Sequence, residues 1–257
     1  ELRDLAQAGY REVVLVGINL SSYGKDLGLR LIDAVQAACR VDGISRVRLG
    51  SLEPELLTAE DIRAMAAEEK FCPQFHLSLQ SGCDKTLREM NRHYDTAEYA
   101  RIVGDIRSVF ENASITTDVM VGFAGETEED FNDTLSLMEE VRFSSAFCFV
   151  YSRRKGTPGY SMENQVSREV KTERIKKLIA LQNRITKEIS KEHEGKVFEI
   201  LVEDKNEKFE NTYCGRTDGG RLVNFKSPTD IVGQFVDVKI KTSRSATLWG
   251  DLITEEK

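Results

Sequence analysis

The sequence predicts an α/β domain with parallel strands, followed by a small all-β barrel. Two patterns carry this prediction. Short apolar runs alternate with helical segments up to about residue 190, and strand-like runs separated by turn residues follow residue 195. The first pattern is typical of βα units, which place parallel strands in one right-handed sheet or barrel. We therefore expect two domains, residues 1–190 and 191–257.

The elements of the first domain follow one another in regular order. The predicted strands are short and apolar: 12–16, 45–49, 74–78, 115–121 and 146–150. The predicted helices have apolar residues at helical spacing: 29–39, 59–69, 85–90, 97–110 and 128–141. Thr58 and Thr127 precede acidic first turns, and we expect both to cap their helices.

A long basic helix is predicted over 173–194 as the connection between the domains. Its apolar stripe consists of Ile175, Leu178, Ile179, Leu181, Ile185 and Ile189. Residues 153–191 contain eleven Lys or Arg against four Asp or Glu, in a chain of net charge -7. Such a segment attracts phosphate even in an acidic protein, although a solvated helix face explains the same charges equally well.

The second domain reads as short strands separated by Gly, Asn, Asp and Pro turns. The predicted strands are 197–202, 222–225, 235–240 and 247–252. About 65 residues with this rhythm are typical of a small antiparallel barrel.

Composition argues against a membrane protein and against a disulfide scaffold. There is no run of eighteen apolar residues, and the first residues lack the pattern of a secretory leader. We expect a cytoplasmic monomer with reduced, mostly packed thiols and no membrane partner. No two of the five cysteines form a CxxC pair: Cys39, Cys72, Cys83, Cys148 and Cys214.

Small and polar residues follow each predicted strand of the first domain. These clusters are 17–19, 50–54, 80–82, 122–127 and 151–152. In a parallel α/β barrel such loops share the rim at the carboxyl ends of the strands, where barrel enzymes build their active sites. Glycine allows close approach to a ligand, and Asn, Gln and Ser bind ribose or amino-acid groups. We therefore expect the functional site at this rim.

Several ordered motifs resemble a known family over nearly the whole chain. The motifs lie at 9–24 (GYREVVLVGINLSSYG), 75–82 (FHLSLQSG), 90–94 (MNRHY), 118–127 (DVMVGFAGET) and 151–158 (YSRRKGTP). They resemble the radical S-adenosylmethionine (SAM) methylthiotransferases, the MiaB/RimO-like family, and most of all its MtaB-like branch. The tail from about His193 resembles a TRAM domain, the small RNA-binding barrel of that family. The fold that this resemblance implies is a partial radical SAM (βα) barrel missing its first strand, followed by the TRAM barrel.

The resemblance also implies residues that bind S-adenosylmethionine at the rim. In chain order they are Gly17, Asn19, Ser51, Glu53, Ser78, Gln80, Ser81, Arg92, Val121, Gly122 and Phe123. The first four are implied to hold the methionyl group or the ribose, the next three the ribose or the substrate, and the last three the adenine. Arg92 is implied to pair with the cofactor carboxylate, and a surface salt bridge is the alternative for Arg92 and Glu53. No residue is assigned as a catalytic acid, base or nucleophile.

The implied partner is a tRNA anticodon stem-loop, contacted by two groups of cations. The rim group is Arg153, Arg154 and Lys155, and the barrel group is Arg216, Arg221, Lys226, Lys239, Lys241 and Arg244. Tyr213 and Phe225 are the expected stacking platforms for bases. From residue 190 onward thirteen acidic residues face eleven basic ones, so we expect salt-sensitive binding through one face.

One feature of the family is missing from the chain. The family holds a [4Fe-4S] cluster through a CxxxCxxC loop, and a second cluster in an N-terminal domain, and neither is present here. We therefore expect a truncated fragment that binds no metal cluster and is inactive alone, while the full-length parent carries two clusters.

The resemblance implies that the parent enzyme methylthiolates N6-threonylcarbamoyladenosine next to the tRNA anticodon. The same chemistry on isopentenyladenosine, or on an aspartate of a ribosomal protein, is the first alternative. A non-catalytic RNA-binding barrel is the second.

Overall fold

The computed structural model describes residues 1–253, which form an α/β core and a closed barrel. The core contains α1 (Leu2–Gln7), β1 (Glu12–Leu15), α2 (Leu31–Cys39), β2 (Arg46–Leu49), β3 (Ser51–Leu52), α3 (Ala59–Ala66), β4 (Gln74–Leu77), α4 (Asp84–Glu89), α5 (Thr96–Val109), β5 (Ser114–Val121), α6 (Glu128–Val141), β6 (Ser145–Val150), α7 (Pro158–Ser161) and α8 (Arg168–Lys191). The barrel contains β7 (Val197–Lys205), β8 (Thr212–Arg216), β9 (Leu222–Lys226), β10 (Phe235–Arg244) and β11 (Thr247–Leu252).

The core strands are parallel, as the sequence predicts. β1 pairs with β2, and β3, β4, β5 and β6 pair in that order. The chain passes from β2 to β3 at Gly50, where a Cβ atom would lie 3.1 Å from Val16 Cγ1. Within the described residues, β1 and β6 each pair along one edge only. The sheet is therefore open, which agrees with the predicted partial barrel.

The two faces of the core sheet differ in character. The outer face packs beneath the helices, with Phe75, Tyr99 and Phe131 fully buried. The strand registers place a second set of residues together on the inner face: Glu12, Val14, Arg46, Arg48, Ser51, His76, Thr116, Asp118, Met120, Phe147 and Phe149. Phe147 is 57% exposed and Val14 is 50% exposed. The inner face is thus accessible and mixed in polarity, in contrast to the sealed outer face.

Helix starts in the core follow local capping chemistry. The Thr58 and Thr127 side chains accept hydrogen bonds from the backbone N–H groups of Asp61 and Asp130, so both predicted caps are confirmed. Asp130 completes a capping box with Thr127, and also accepts from Lys85 Nζ (2.8 Å) and Cys83 Sγ (3.3 Å). Burial raises the pKa of Asp130, but these donors outweigh it and hold the pKa at about 2.

Replacing Asp130 with asparagine is expected to lower the free energy of unfolding by about 2 kcal/mol at pH 7. Because the folded pKa lies below the unfolded one, this contribution is present above about pH 4 and is lost as the pH falls towards 2. Urea unfolding at several pH values checks both statements. Asp133→Asn, an exposed position on the same helix, is the control and is expected to cost under about 0.5 kcal/mol. A pH-independent Asp130→Asn effect would contradict the charge argument.

Helix α8 begins five residues earlier than predicted, because Ser167 caps it by accepting from Val170 N–H. Its buried side also differs from the predicted apolar stripe. Leu178 and Ile185 are buried as expected, but Ile179 is 42% exposed. Gln182 and Thr186 are buried instead, because they donate to the carbonyl groups of residues 143 and 144.

The C-terminal barrel closes in the order β10, β11, β9, β8, β7. Strand β8 was missing from the predicted strands, and β7 is longer than predicted. In β8, Gly215 faces β7 so closely that a Cβ atom would overlap the Leu201 carbonyl oxygen. Among residues 1–253, no helix combines the length and the apolarity needed to cross a membrane. The five cysteines are unbonded, and burial raises the pKa of Cys72 to about 12.

The turn between β8 and β9 lies against the amino-terminal ends of the core strands. Arg48 of β2 donates to the carbonyl groups of Thr217 and Asp218 in this turn, and to Glu12 Oε1 at 2.7 Å and Gln74 Oε1 at 2.8 Å. Arg46 donates to the carbonyl groups of residues 199 and 216, both at 2.9 Å. Two buried arginines therefore join the barrel to the core.

Candidate functional site

A groove of about 940 Å³ opens at the carboxyl ends of β4, β5 and β6, on the inner face of the core. Its lining combines polar, charged and aromatic residues: Gln80, Arg92, Asp118, Met120, Phe123, Phe149, Tyr151, Arg154 and others from 88–91 and 157–159. This is the rim where the sequence predicts the site. A cavity of this size and mixed lining is typical of a cofactor or substrate site.

Glu53 and Arg92 form an ion pair beside the groove. Arg92 Nη1 lies 3.2 Å from Glu53 Oε2 and 3.3 Å from Oε1, and the side chains of Arg92 and Glu53 are 29% and 39% exposed, respectively. Ser21, in the loop after β1, fixes Glu53 by accepting from its backbone N–H at 3.0 Å. The salt bridge that the sequence analysis gave as the alternative for these two residues is thus present, and it places a carboxylate and a guanidinium together at the edge of a ligand-sized groove. Such a pair matches the two charged groups of an amino-acid ligand.

Gln80 adopts a left-handed backbone conformation, with φ of 68°. Its N–H donates to the Asp118 carbonyl and its own carbonyl accepts from Met120 N–H, both at 2.8 Å. These bonds to β5 hold a conformation that non-glycine residues adopt rarely and at a cost in free energy. The side chain of Gln80 is consequently fixed in the wall of the groove.

A buried ion pair with α8 holds the loop 122–127 in place. Glu126 accepts from Gly122 N–H and lies 3.3 Å from Arg174 Nη1 of α8, with both side chains at most 5% exposed. Arg174 also donates to the Glu126 carbonyl at 3.0 Å. Gly122 has φ of 76°, and a Cβ atom there would overlap the Lys171 side chain. Burial raises the pKa of Glu126, and Arg174 opposes that rise.

Phe123 and Tyr151 form the aromatic wall of the groove. Their rings meet edge to face, 4.8 Å between centroids. Lys171 Nζ lies 5.1 Å from the Tyr151 ring centre and donates to the Tyr151 carbonyl at 3.0 Å. Burial lowers the pKa of Lys171. The sequence analysis placed Tyr151 at the rim, but it did not recognise Lys171 and Arg174, because their role appears only when α8 packs across the loop.

The inner face of the sheet places His76 next to Asp118. His76 Nε2 lies 3.3 Å from Asp118 Oδ2, and His76 Nδ1 lies 3.0 Å from Thr116 Oγ1. Asp118 also lines the groove, so this pair connects the groove to the polar inner face.

Not every predicted ligand contact reaches the groove. Ser81 is 2% exposed, and its hydroxyl accepts from Cys83 N–H and lies 3.4 Å from Thr134 Oγ1, so it faces α6. Val121 is fully buried, and Ser78 is 9% exposed beneath Tyr94, whose hydroxyl donates to its carbonyl. These three side chains stabilise the fold behind the groove. These residues were predicted because they lie at the ends of strands, and that position does not show which side of the sheet a side chain faces.

The remaining predicted contacts have different environments. Gly17 and Asn19 follow β1 in an exposed loop, and Ser51 is exposed on the inner face. Gly122 and Phe123 follow β5 and are buried, and Phe123 lines the groove.

The two predicted groups of RNA-binding cations lie at opposite ends of the core strands. Arg153, Arg154 and Lys155 are exposed after the carboxyl end of β6, and Arg153 donates to the Tyr160 carbonyl. The barrel instead meets the amino-terminal ends, through the residues that bind Arg46 and Arg48. The rim group and the barrel group are therefore separated by the length of the core strands.

Within the barrel, the predicted RNA contacts have different environments. Lys226, Lys239, Lys241 and Arg244 are exposed, and Lys241 pairs with Asp251. Arg216 pairs with Glu203 at 2.9 Å. Arg221 is only 9% exposed, which excludes it from the barrel surface.

The predicted stacking platforms are wrong. Tyr213 is 5% exposed and Phe225 is 1% exposed, and both pack in the barrel core because they face inward on β8 and β9. The accessible aromatic residues are instead Phe209, 48% exposed, and Trp249, whose rings meet edge to face at 5.2 Å. Arg244 lies over the Trp249 ring at 5.8 Å. The alternation of side chains between the two faces of β11 was the feature of the sequence that could have identified Trp249 as an outward-facing residue.

The cysteines do not fit an iron–sulfur cluster. Such a cluster needs several thiolates at one point. Among the described residues, no three His, Cys, Asp or Glu side chains are grouped so that they could hold a metal ion. The five thiols lie in separate elements, and three of them are buried.

Comparison with known proteins agrees with this architecture. The family model described as the radical SAM superfamily matches residues 1–138, more than half of the chain. The chain belongs to the radical SAM superfamily. A TRAM domain model matches residues 191–253 of this radical SAM chain, which is the closed barrel.

Curated relatives extend the similarity to both domains. The protein named tRNA-2-methylthio-N(6)-dimethylallyladenosine synthase from Clostridium botulinum (strain Langeland) is 43% identical over 98% of this chain. The protein of the same name from Acetivibrio thermocellus is 41% identical over 98% of this chain. The radical SAM chain spans 57% and 53% of these relatives' lengths.

Among solved structures, coproporphyrinogen III oxidase (HemN) from Escherichia coli has a TM-score of 0.57 to this chain. The match covers 84% of this chain and 58% of that one, at 12% sequence identity. Similarity at this level shows a shared fold only.

Proposed function

We propose that this radical SAM chain is the cofactor- and RNA-facing part of a tRNA methylthiotransferase acting on N6-dimethylallyladenosine. The observation that carries the proposal is the identity of 41–43%, over 98% of the chain, to synthases of the 2-methylthio form of that nucleoside. The open groove at the strand ends and the exposed cations beside it support the same conclusion.

The groove has the chemistry to bind S-adenosylmethionine, which supplies the adenosyl and methyl groups of such reactions when bound. Arg92 would bind the carboxylate of its methionyl group, and Glu53 would accept from the ammonium group. Gly122 allows close backbone approach, and the wall of Phe123 and Tyr151 offers an apolar surface to adenine. These residues bind, orient and exclude water.

The choice of nucleoside replaces the one that the sequence motifs favour. Those motifs resemble the branch that modifies N6-threonylcarbamoyladenosine. The relatives named above are instead synthases of methylthio-dimethylallyladenosine, with similarity that extends across both domains. We therefore place the dimethylallyl nucleoside first, with a tRNA anticodon stem-loop as the partner and the cytoplasm as the compartment.

Nucleoside mass spectrometry of tRNA tests the proposal. Deleting the gene that encodes this chain is expected to abolish 2-methylthio-N6-dimethylallyladenosine and to accumulate N6-dimethylallyladenosine. If that nucleoside persists while the methylthio form of threonylcarbamoyladenosine disappears, the choice of substrate is wrong. If neither changes, the catalytic proposal fails and a non-catalytic RNA-binding role replaces it.

Complementing the deletion strain with variant genes uses the same nucleoside measurement to test the groove residues. The intact gene is expected to restore the methylthio nucleoside, whereas Arg92→Gln is expected to lower it at least tenfold, because a charge-assisted bond to the ligand is lost. Arg101→Gln, which removes an exposed guanidinium paired with Asp105 on α5, is the matched control and should restore it fully. Equal restoration by both variants would remove Arg92 from the site.

RNA binding tests the exposed cations beside the groove. The double variant Arg154→Gln, Lys155→Gln is expected to weaken binding of an anticodon stem-loop and to reduce the slope of log K against log salt by about 1.4, since each single-strand phosphate contact contributes about 0.7. The control is Lys187→Gln, Lys191→Gln, which removes two exposed charges from α8. Filter-binding titrations at several salt concentrations give both slopes. Identical slopes for the two variants would show that the rim does not contact phosphate.

A further inference from the structure

A second cavity, of about 260 Å³, lies where the barrel meets the core. Several parts of the chain form its walls. Ser114 and Ser144 lie at the amino-terminal ends of β5 and β6, His193 follows α8, and Arg221 belongs to the β8–β9 turn. It is thus at the opposite end of the core strands from the groove, and neither the proposed cofactor nor the proposed base occupies it.

Arg221 is the unusual residue of this cavity. It is 9% exposed, and within residues 1–253 its side chain makes no hydrogen bond and no ion pair. Burial lowers the pKa of Arg221, yet a guanidinium does not give up its proton in proteins. A buried cation without a partner is costly, so the site favours an anion next to Arg221.

Other donors line the same cavity. Lys196 is exposed at its edge, and Arg107 supplies a second guanidinium. His193 Nδ1 donates to the Ile189 carbonyl at 2.7 Å, so Nε2 donates to an anion only when the ring is protonated and is an acceptor in the neutral ring. Burial lowers the pKa of His193, and the charge of Arg221, which lines the same cavity, lowers it further.

None of the acidic residues of the lining forms an ion pair with Arg221 within residues 1–253. Glu192 Oε1 instead pairs with Arg142 Nη2 at 3.6 Å, although the charge of Glu192 also raises the pKa of Arg221 against the larger effect of burial. Asp218 accepts from the N–H of Gly219 within its own turn. Glu111 is exposed and forms no ion pair among the described residues. Within residues 1–253, the Arg221 guanidinium therefore has no carboxylate at ion-pair distance and is free to bind an anion.

We propose that this junction cavity binds a phosphate group, with Arg221 as its principal ligand. The planar guanidinium offers paired donors that match two phosphate oxygens. The cavity is small and polar-lined, which suits a single phosphate group better than a larger apolar ligand. The phosphate comes either from an RNA backbone or from the free ion, and both present the same oxygens to Arg221.

Titration with inorganic phosphate tests the site directly. We expect saturable chemical-shift changes in the amide signals of Gly219 and Gly220 and in the His193 ring, with the other two histidines unaffected. Arg221→Gln is expected to weaken this binding at least tenfold, equivalent to about 1.4 kcal/mol. Arg3→Gln, an exposed arginine on α1, is the matched control and should bind like the wild type.

Two results would overturn the proposal. One is the absence of saturable change in the wild-type protein, and the other is equal binding by a folded Arg221→Gln variant. If that variant does not fold, Lys196→Gln replaces it, and its exposed position makes a folding defect unexpected. For Lys196→Gln, about threefold weaker phosphate binding supports the site and unchanged binding overturns it.

Binding of an anticodon stem-loop distinguishes the two sources of phosphate. If Arg221→Gln weakens stem-loop binding and inorganic phosphate competes with the RNA, the occupant is a backbone phosphate. If the RNA affinity is unchanged while phosphate binding is lost, the occupant is the free ion. The inference does not depend on the proposed methylthiolation, because failure of the nucleoside test leaves the phosphate titration intact.

Discussion

Replacing Arg48 with methionine is expected to lower the free energy of unfolding by about 3–5 kcal/mol. Arg48 is 4% exposed, and its loss leaves Glu12, Gln74 and the carbonyl groups of the β8–β9 turn without their donor. Buried acceptors without partners account for most of this cost. The change also removes one of the two arginines that hold the barrel against the core.

Two spectroscopic signals separate the effects on the two domains. Trp249, the single tryptophan, lies in the barrel, whereas every α-helix in residues 1–253 lies at or before Lys191. In the wild type, urea unfolding followed by tryptophan fluorescence and by helical circular dichroism is expected to give coincident curves. In Arg48→Met, the two midpoints are expected to separate.

Arg216→Gln is the control for this experiment. It removes an arginine from an exposed pair with Glu203, and it is expected to cost under about 1 kcal/mol with coincident curves. Should Arg48→Met behave like this control, the buried arginine would not be what joins the domains.

Replacing Arg174 with methionine is expected to cost about 3–5 kcal/mol as well, for a different reason. Glu126 is 3% exposed as a side chain, and without Arg174 its carboxylate remains buried and uncompensated. The pKa of Glu126, already raised by burial, is then expected to rise further. Since a raised folded pKa favours folding at low pH, the loss should shrink as the pH falls from 7 towards 4.5.

The double variant Glu126→Gln, Arg174→Met tests the charge argument. Removing both charges is expected to restore about half of the stability that Arg174→Met loses, as measured by urea unfolding. Lys177→Met, which removes an exposed partner of Glu128 from the same helix, is the matched control and should be nearly neutral. If the losses of stability from Glu126→Gln and Arg174→Met simply add in the double variant, Arg174 acts only through packing on Phe131.

The order of elements in the core was predictable because each depends on local pattern. Alternating apolar runs located the parallel strands within one residue at most ends, and Thr127 with Asp130 predicted where α6 begins. Strand β8 escaped because its sequence, Thr-Tyr-Cys-Gly-Arg, contains few apolar residues. The buried polar residues of α8 escaped because their partners are carbonyl groups distant in the chain.

The groove was predictable only in part. The rim followed from the rule that loops after parallel strands meet at one edge, but the pairing of Glu53 with Arg92 at this rim appeared only in the structure. Which side of a strand a residue faces depends on packing, so Ser81 and Val121 turned out to be buried. Arg221 shows the same limit, because its burial results from docking of the barrel on the core.

The attachment of the barrel to the amino-terminal ends of the core strands sets a fixed distance between the barrel junction and the groove. β5 runs from Ser114, next to the β8–β9 turn, to Val121, next to the groove, and eight residues of strand cover roughly 26 Å. A ligand that touches both ends must be at least that long, so a free nucleoside or a very short oligonucleotide gains nothing from the barrel. For the tRNA substrate proposed above, this distance sets a minimum length for a ligand that contacts both ends.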